Sequence, residues 1–139
     1  MVNLAKVFVG EHNGSGALDL YEKALAADAQ NFDAVTGIVT TSIQLGQTAK
    51  AYARVDALVD ANAGRADVLA ALHYLKGTVF TAEKNSPAAE KELLTSIDLD
   101  ANYLPSYSAY ASLLASQKRT DEAIAQYQKI LDKKPAAQA

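Results

Sequence analysis

Residues 120–135, TDEAIAQYQKILDKKP, hold the pattern that decides the fold of this chain. Thr120 precedes two acidic residues, which is typical of a first helical turn, where free backbone N–H groups and the helix dipole favour acceptors and anions. Apolar residues then recur every three or four positions, and Lys133 and Lys134 stand where cations suit a helix C-terminus. The stretch therefore predicts an amphipathic helix that ends before Pro135.

The same pattern occurs three more times towards the N-terminus. Each occurrence has an alanine followed four residues later by a large side chain, and the four alanines are Ala17, Ala51, Ala89 and Ala123. They are separated by 34, 38 and 34 residues. A set twelve positions upstream (Ala5, Val39, Gly77, Ala111) and a set eight positions downstream (Leu25, Val59, Ile97, Leu131) have the same three intervals. A repeat of this length predicts two helices per unit, and the extra residues of the middle interval predict an added helical turn near residues 64–70.

Two apolar-periodic stretches joined by a short breaker make up each unit. We therefore expect an all-α chain, an α-α superhelix of about four stacked helix-turn-helix repeats. The predicted helices cover residues 2–12, 15–28, 32–46, 48–62, 66–84, 87–99, 104–117 and 121–134. We expect one domain over residues 1–139, with repeats at about 1–31, 32–65, 66–103 and 104–137. Ser86 is the expected N-cap of the sixth helix, because Pro87 suits a first helical position.

The charge composition argues against several classes of partner. The chain has 13 basic and 16 acidic residues, a net charge of −3, and no cysteine. A nucleic-acid groove needs clustered Lys and Arg, so we expect no nucleic-acid partner. No apolar run approaches the roughly 20 residues of a membrane helix, and the N-terminus lacks the profile of a signal peptide. We therefore expect a soluble chain without membrane insertion, with its compartment undecided.

Candidate catalytic and metal-binding residues form no constellation in the sequence. His73 falls in a packing position of a predicted helix, and His12 beside Glu11 has no third ligand or base nearby. The segment 14–16, Gly-Ser-Gly, resembles half of a phosphate loop, but no strand precedes it, and a left-handed turn between two helices explains it better. We expect no catalytic residue, no metal and no cofactor.

The 34-residue period and its helix-turn-helix pattern resemble the tetratricopeptide repeat family. The last unit matches best, with Tyr107, Tyr110, Ala111 and Leu114 in first-helix positions and residues 121–135 along the second-helix pattern. The first unit also fits, and the resemblance extends over nearly the whole chain.

The sequence departs from the family pattern at a few positions. The family's Trp is replaced in the four units by Met1, Val35, His73 and Tyr107. Ser42 stands where a large aromatic residue is usual, and Lys76 stands where Leu is usual. The second and third units therefore carry the weaker match.

The resemblance also implies where a partner would bind, because in the family the first helix of each unit lines a groove that holds a peptide. The groove positions carried over to this chain are Lys6, Thr36, Thr40, Ile43, Tyr74, Thr78, Ser108 and Ser112, with Val9, Asp33, Thr81 and Ala115 beside them. They are small, hydroxyl-rich and nearly uncharged, which is equally typical of a solvated helix surface. The positions of the clamp that holds a terminal carboxylate in some members are Val2, Lys6, Gly37, Ala71 and Leu75 here. A peptide's terminal carboxylate is therefore not the expected ligand.

The resemblance implies a non-catalytic protein–protein interaction scaffold that binds a peptide or a protein helix in this groove. The alternative is a self-associating structural segment of a longer repeat array, and an enzyme active site between helices is a third hypothesis. The last predicted helix carries Ile124, Tyr127, Ile130 and Leu131, more apolar surface than one hairpin partner covers. Because a terminal unit lacks the neighbour that would cover this face, we expect weak association between copies through uncapped ends.

Overall fold

The computed structural model describes residue 3, residues 13–28 and residues 30–133. Over these ranges the secondary structure is α-helical, without a strand: α1 (Gly14–Ala27), α2 (Phe32–Gln44), α3 (Thr48–Ala61), α4 (Ala66–Ala82), α5 (Ser86–Leu99), α6 (Leu104–Ser116) and α7 (Thr120–Lys133). The all-α prediction is confirmed, and these helices begin and end within about two residues of their predicted bounds. The predicted helix at residues 2–12 lies, apart from residue 3, outside the described residues.

The helices pack as two compact units, residues 1–57 and residues 58–139, and the boundary falls inside α3. In the first unit α1 packs against α2. In the second unit α4 packs against α5 and α6 against α7, and α6 also contacts α5 and α4. These contacts give the second unit two helical hairpins in succession. The division of a single domain into four repeats stays a prediction.

Small residues lie where the helices of a hairpin come closest. The four repeat alanines are buried, none of them more than 4% exposed. A Cβ atom added to Gly77 would lie 2.8 Å from Cδ2 of Leu93 and 3.6 Å from the carbonyl oxygen of Ala89. α4 and α5 therefore approach each other closely at Gly77, where the predicted repeat has a small residue.

The turns inside successive hairpins repeat one backbone geometry. Gly46, Lys84 and Lys118 have positive φ angles of 72°, 59° and 61°, and they are separated by 38 and 34 residues. In each turn the next N–H donates to the carbonyl five residues earlier, at 2.7 to 2.9 Å. This hydrogen bond closes the C-terminus of a helix on a left-handed residue. The turn is thus part of the repeat, although two of its three left-handed residues are lysines.

Asparagine side chains cap three of the helices at their N-termini. The Oδ1 atoms of Asn13, Asn31 and Asn85 accept hydrogen bonds from backbone N–H groups three residues later, at 3.1 to 3.3 Å. The prediction of Ser86 as the cap of α5 is wrong by one residue. Asn85 is the cap because its oxygen reaches the N–H of Ala88, and Ser86 is the first helical residue.

The glycines of residues 14–16 begin a helix instead of forming a left-handed turn, so that expectation was wrong. Both lie in α1, whose cap Asn13 accepts the N–H of Gly16. A Cβ atom on Gly14 would lie 2.8 Å from Cδ2 of Leu45, so a close approach explains this glycine.

The extra residues of the third predicted repeat lie in its first helix. α4 has 17 residues, whereas α2 and α6 each have 13. The difference corresponds to about one helical turn. Among the helices that the structure describes, none combines the length and apolar character that crossing a membrane requires.

Candidate binding cleft

α4 and α6, the first helices of the third and fourth predicted repeats, border a cleft of about 280 Å³. Its lining residues are Thr78 and Thr81 of α4 and Ala109, Ser112, Leu113 and Ser116 of α6. The four residues of α6 have the spacing of a single helix face, and only Leu113 among them is large. The cleft therefore exists because small side chains line one face of α6 where it passes α4.

Three of the four hydroxyl groups of the cleft donate to their own helices. Oγ1 of Thr78 donates to the carbonyl oxygen of Leu75 at 2.6 Å, and Oγ1 of Thr81 donates to that of Gly77 at 2.9 Å. Oγ of Ser116 donates in the same way to Leu113 at 2.6 Å. The O–H hydrogens of these residues are thus already used, and most of the exposed lining is apolar.

The structure places three of the predicted groove residues at this cleft. Thr78, Thr81 and Ser112 line it, and Ser108 lies exposed one turn earlier on α6. Tyr74 is half-buried and packs edge-on against Tyr103, with the ring centroids 5.7 Å apart. Burial raises the pKa of Tyr103, with a smaller contribution from Tyr74. Tyr74 therefore belongs mainly to the packing of the second unit.

The predicted groove residues of the first unit lie on α2. Thr36 and Thr40 are exposed and Ile43 is half-buried, while Lys6 lies outside the described residues. Oγ1 of Thr40 donates to the carbonyl oxygen of Thr36 at 2.9 Å. The hydroxyl group of Thr40 thus also donates to its own helix, and the role of these residues in binding stays a prediction.

A second cavity in the first unit lies on α1 and α3, away from the predicted groove residues. It also measures about 280 Å³ and is lined by Glu22, Lys50, Ala53, Arg54 and Ala57. Arg54 pairs with Glu22 across the two helices. The carboxylate of Glu22 therefore neutralises the charge of Arg54. Lys50 is the remaining charged residue in the lining of this cavity.

A half-buried charge cluster joins α4 to α5. Oε2 of Glu92 lies 2.6 Å from Nδ1 of His73, and Oε1 of Glu92 lies 3.5 Å from Nζ of Lys76. The side chains are between 10% and 18% exposed. His73 thus occupies a packing position, as predicted, and the charge of Lys76 in a usual Leu position is balanced by a carboxylate on the next helix.

Within the ranges that the structure describes, no group of three or more His, Cys, Asp or Glu side chains could hold a metal ion. His73 and Glu92 could exchange a proton, but the cluster that contains them is closed by Lys76 and ties two helices together. Its geometry fits a structural contact between elements.

The comparison with protein families decides what these repeats are. Residues 8–75 match the sequence profile of the tetratricopeptide repeat. This segment belongs to the tetratricopeptide repeat family. The resemblance read from the sequence is confirmed.

Solved structures of MamA proteins share the tetratricopeptide fold of this chain. One crystal structure of MamA has a TM-score of 0.63 and 23% sequence identity, covering 94% of this chain and 74% of the MamA chain. MamA from Desulfovibrio magneticus RS-1, residues 41 to the end, has a TM-score of 0.66 and 16% identity, covering 95% and 72%. At these identities the likeness shows the fold. A search of curated protein sequences finds no match.

Sequence reasoning found only part of the cleft. Thr78, Thr81 and Ser112 were predicted at groove positions, whereas Ala109, Leu113 and Ser116 were not. The family resemblance assigns groove positions to each helix separately. The cleft, however, is formed by two helices, so its lining depends on how α4 and α6 pack. The small residues at helical spacing on α6 are the sequence signal that could have indicated it.

Proposed function

We propose that this tetratricopeptide repeat chain is a non-catalytic scaffold that binds a peptide or a helix of a protein partner at the cleft between α4 and α6. The observation that carries the proposal is that Thr78 and Ser112, both at groove positions of the family, line one cleft on neighbouring first helices. Clefts with apolar linings are the usual sites of ligand binding, and helices are frequently held in grooves of this kind.

A peptide selected from a random displayed library provides the direct test. Its affinity for the wild-type chain is compared with its affinity for the double variant Thr78→Glu, Ser112→Lys, measured by calorimetry. We expect the variant to lose binding at least tenfold while its helical circular dichroism is unchanged, because two charged side chains would then occupy an apolar cleft.

The matched control is Lys91→Glu with Asp98→Lys. Both residues are exposed on α5, neither lines the cleft, and the exchange leaves the net charge unchanged, as the cleft exchange does. This control is expected to bind like the wild type. If the control loses binding and the cleft variant keeps it, the partner binds elsewhere and the proposal fails.

A second candidate function, association between copies, is favoured by one face of α7. Ile124, Tyr127 and Leu131 are 59%, 47% and 60% exposed, although they have the spacing of a packed helix face. Leu93 of α5 stands one repeat before Tyr127 and is only 1% exposed. The face that is covered on α5 is therefore open on α7, which suits a helix of a second copy.

A further inference from the structure

We infer that the cleft between α4 and α6 takes one bulky, neutral apolar side chain, aliphatic or aromatic, from a peptide partner. This inference rests on the proposed function and specifies the chemistry of its ligand. Three properties of the cleft carry it: the charge of its lining, the direction of its hydroxyl groups, and its size.

The charge of the lining requires a neutral anchor. The six residues that the structure places around the cleft are threonine, serine, alanine and leucine, none of which is ionisable. A carboxylate or ammonium group that entered would lose hydration without meeting an opposite charge, which is unfavourable. Charge complementarity therefore excludes acidic and basic anchors, including the terminal carboxylate that some family members clamp.

Three of the four hydroxyl groups in the cleft favour an apolar anchor over a polar one. Thr78, Thr81 and Ser116 donate their O–H hydrogens to backbone carbonyls of their own helices. A polar anchor that needs donors would find these hydrogens engaged, because a hydroxyl has only one to give. What the threonines offer to a partner is chiefly their methyl groups, beside Ala109 and Leu113.

The size of the cleft is sufficient for one large side chain. Its volume of about 280 Å³ lies just under the range of about 300–1,000 Å³ that is typical of pockets for whole small molecules. The face formed by residues 109, 112, 113 and 116 resembles the hole that receives a single side chain when helices pack together. One large side chain enters, and the backbone that carries it stays outside.

The first experiment varies the anchor on a fixed peptide. Peptides of identical neutral, helix-forming sequence carry Leu, Phe, Ser, Glu or Lys at one central position, and methyl NMR spectra of the chain are recorded during titration. We expect the Leu and Phe peptides to shift the methyl signals of Thr78, Thr81 and Ala109, and the other three peptides to leave them in place.

The second experiment separates methyl groups from hydroxyl groups in the cleft. The pair Thr78→Val, Thr81→Val keeps the methyl groups and removes the hydroxyls, whereas Thr78→Ser, Thr81→Ser does the reverse. We expect the valine variant to bind the Leu peptide at least as tightly as the wild type. Each methyl group lost in the serine variant is expected to weaken binding about fourfold. Circular dichroism checks that both variants keep their helices.

The outcomes distinguish this inference from the function on which it rests. If the Ser, Glu or Lys peptide binds the cleft as well as the Leu peptide, or if the serine variant binds better than the valine variant, the inference is overturned while the proposed function stands. If neither the Leu nor the Phe peptide shifts the cleft signals and the library-selected peptide also binds elsewhere, both are overturned.

Discussion

At the scale of single residues, two glycines mark close helix contacts that differ in what a methyl group would meet. A Cβ atom on Gly37 would lie 2.3 Å from Cε1 and Cζ of Tyr21, inside the space of the aromatic ring. A Cβ atom on Gly77 would meet the side-chain end of Leu93 at 2.8 Å. The added methyl group would therefore overlap the buried Tyr21 ring more deeply than it would overlap Leu93, whose Cδ2 and Cγ atoms lie at 2.8 and 2.9 Å.

We expect Gly37→Ala to destabilise the chain by about 3 kcal/mol, because so deep an overlap with the ring forces the ring or the backbone to shift. Gly77→Ala is expected to cost about 1 kcal/mol or less, since the higher helix propensity of alanine offsets part of the strain. Urea unfolding followed by circular dichroism measures both. Equal costs for the two substitutions would contradict the conclusion that the depth of overlap decides the cost.

Tyr110 is the centre of a polar contact between the two hairpins of the second unit. Its hydroxyl donates to Oε1 of Glu90 at 3.0 Å, and Nη1 of Arg119 lies 3.3 Å from Oε2 of the same carboxylate. Burial is the main cause that raises the pKa of Tyr110 above its ordinary value of 10.0, followed by the hydrogen bond to Glu90. Folding therefore favours the protonated phenol.

The raised pKa makes a contribution of Tyr110 to stability that depends on pH. It is fully present below pH 10.0, where the phenol is protonated in the folded and the unfolded chain, and is lost as the pH rises through the folded pKa. We expect Tyr110→Phe to cost about 1 kcal/mol at neutral pH and to flatten the decline of the urea midpoint at alkaline pH. Part of the decline remains, because the pKa of Tyr21 and Tyr103 is also raised. An unchanged alkaline slope would contradict this role.

Lys76 shows what a repeat pattern leaves out at this scale. The pattern places an apolar residue there, and the structure confirms that the position is buried, at 8% exposure. The carboxylate that compensates for the charge is Glu92, on the next helix, at 3.5 Å from Nζ. The family pattern predicts that this position is buried. The ion pair of Lys76 with Glu92 depends on how two helices pack, and the spacing of residues within one helix does not predict it.

At the scale of elements, the left-handed turns suggest a way to stabilise the chain. Lys84 and Lys118 have the backbone conformation for which Gly46 is suited at the corresponding turn. We expect Lys84→Gly and Lys118→Gly each to stabilise the chain by about 0.5–1 kcal/mol, because a residue with a Cβ atom pays a steric cost in this region. Thermal unfolding measures the gain.

Lys91→Gly is the control for these substitutions, since Lys91 is exposed in the interior of α5. The same exchange is expected to destabilise by about 1 kcal/mol there, because glycine is a poor helix former. If all three substitutions change the melting temperature in the same direction, the turn geometry is not what decides the effect.

The helices were predictable because the same apolar pattern recurs about every 34 residues, so that each helix is indicated by several segments of the sequence. The predicted extra turn near residues 64–70 corresponds to a first helix, α4, that is longer than α2 and α6. The one-residue error at Ser86 has a local cause, since Asn85 and Ser86 are both good capping residues and Pro87 is accepted at either of the first two helical positions. The cleft was harder to predict because it depends on the distance between α4 and α6.

At the scale of the whole molecule, the open face of α7 has a covered counterpart inside the chain. On α5 the corresponding face packs against α6, where Leu93 joins Tyr110, Ala111 and Leu114 in one apolar cluster. Oγ of Ser96 and Oγ of Ser106 lie 2.5 Å apart in the same contact. The face of α5 thus packs against a helix that has a small residue, Ala111, between the large residues Tyr110 and Leu114. The sequence around Ala5, which occupies the repeat position of Ala111, has the same arrangement with Leu4 and Phe8.

We expect the chain to associate weakly with itself through α7, and Ile124→Glu with Leu131→Lys to reduce this association. The two substitutions place charges in an apolar contact, where they lose hydration without ordered partners. The control is Ala125→Glu with Gln128→Lys, which introduces the same charges at exposed α7 positions outside the triplet of Ile124, Tyr127 and Leu131. Light scattering across a wide concentration range gives the apparent mass, which should rise for the wild type and the control and stay near that of a monomer for the variant.

Since the chain has no cysteine, Tyr127→Cys adds a geometric test. Disulfide-linked dimers of this variant alone would indicate that α7 pairs with α7, whereas linkage only after mixing with a Leu4→Cys chain would indicate head-to-tail stacking. A wild-type chain that stays monomeric at every concentration would refute self-association, whichever helix were the partner.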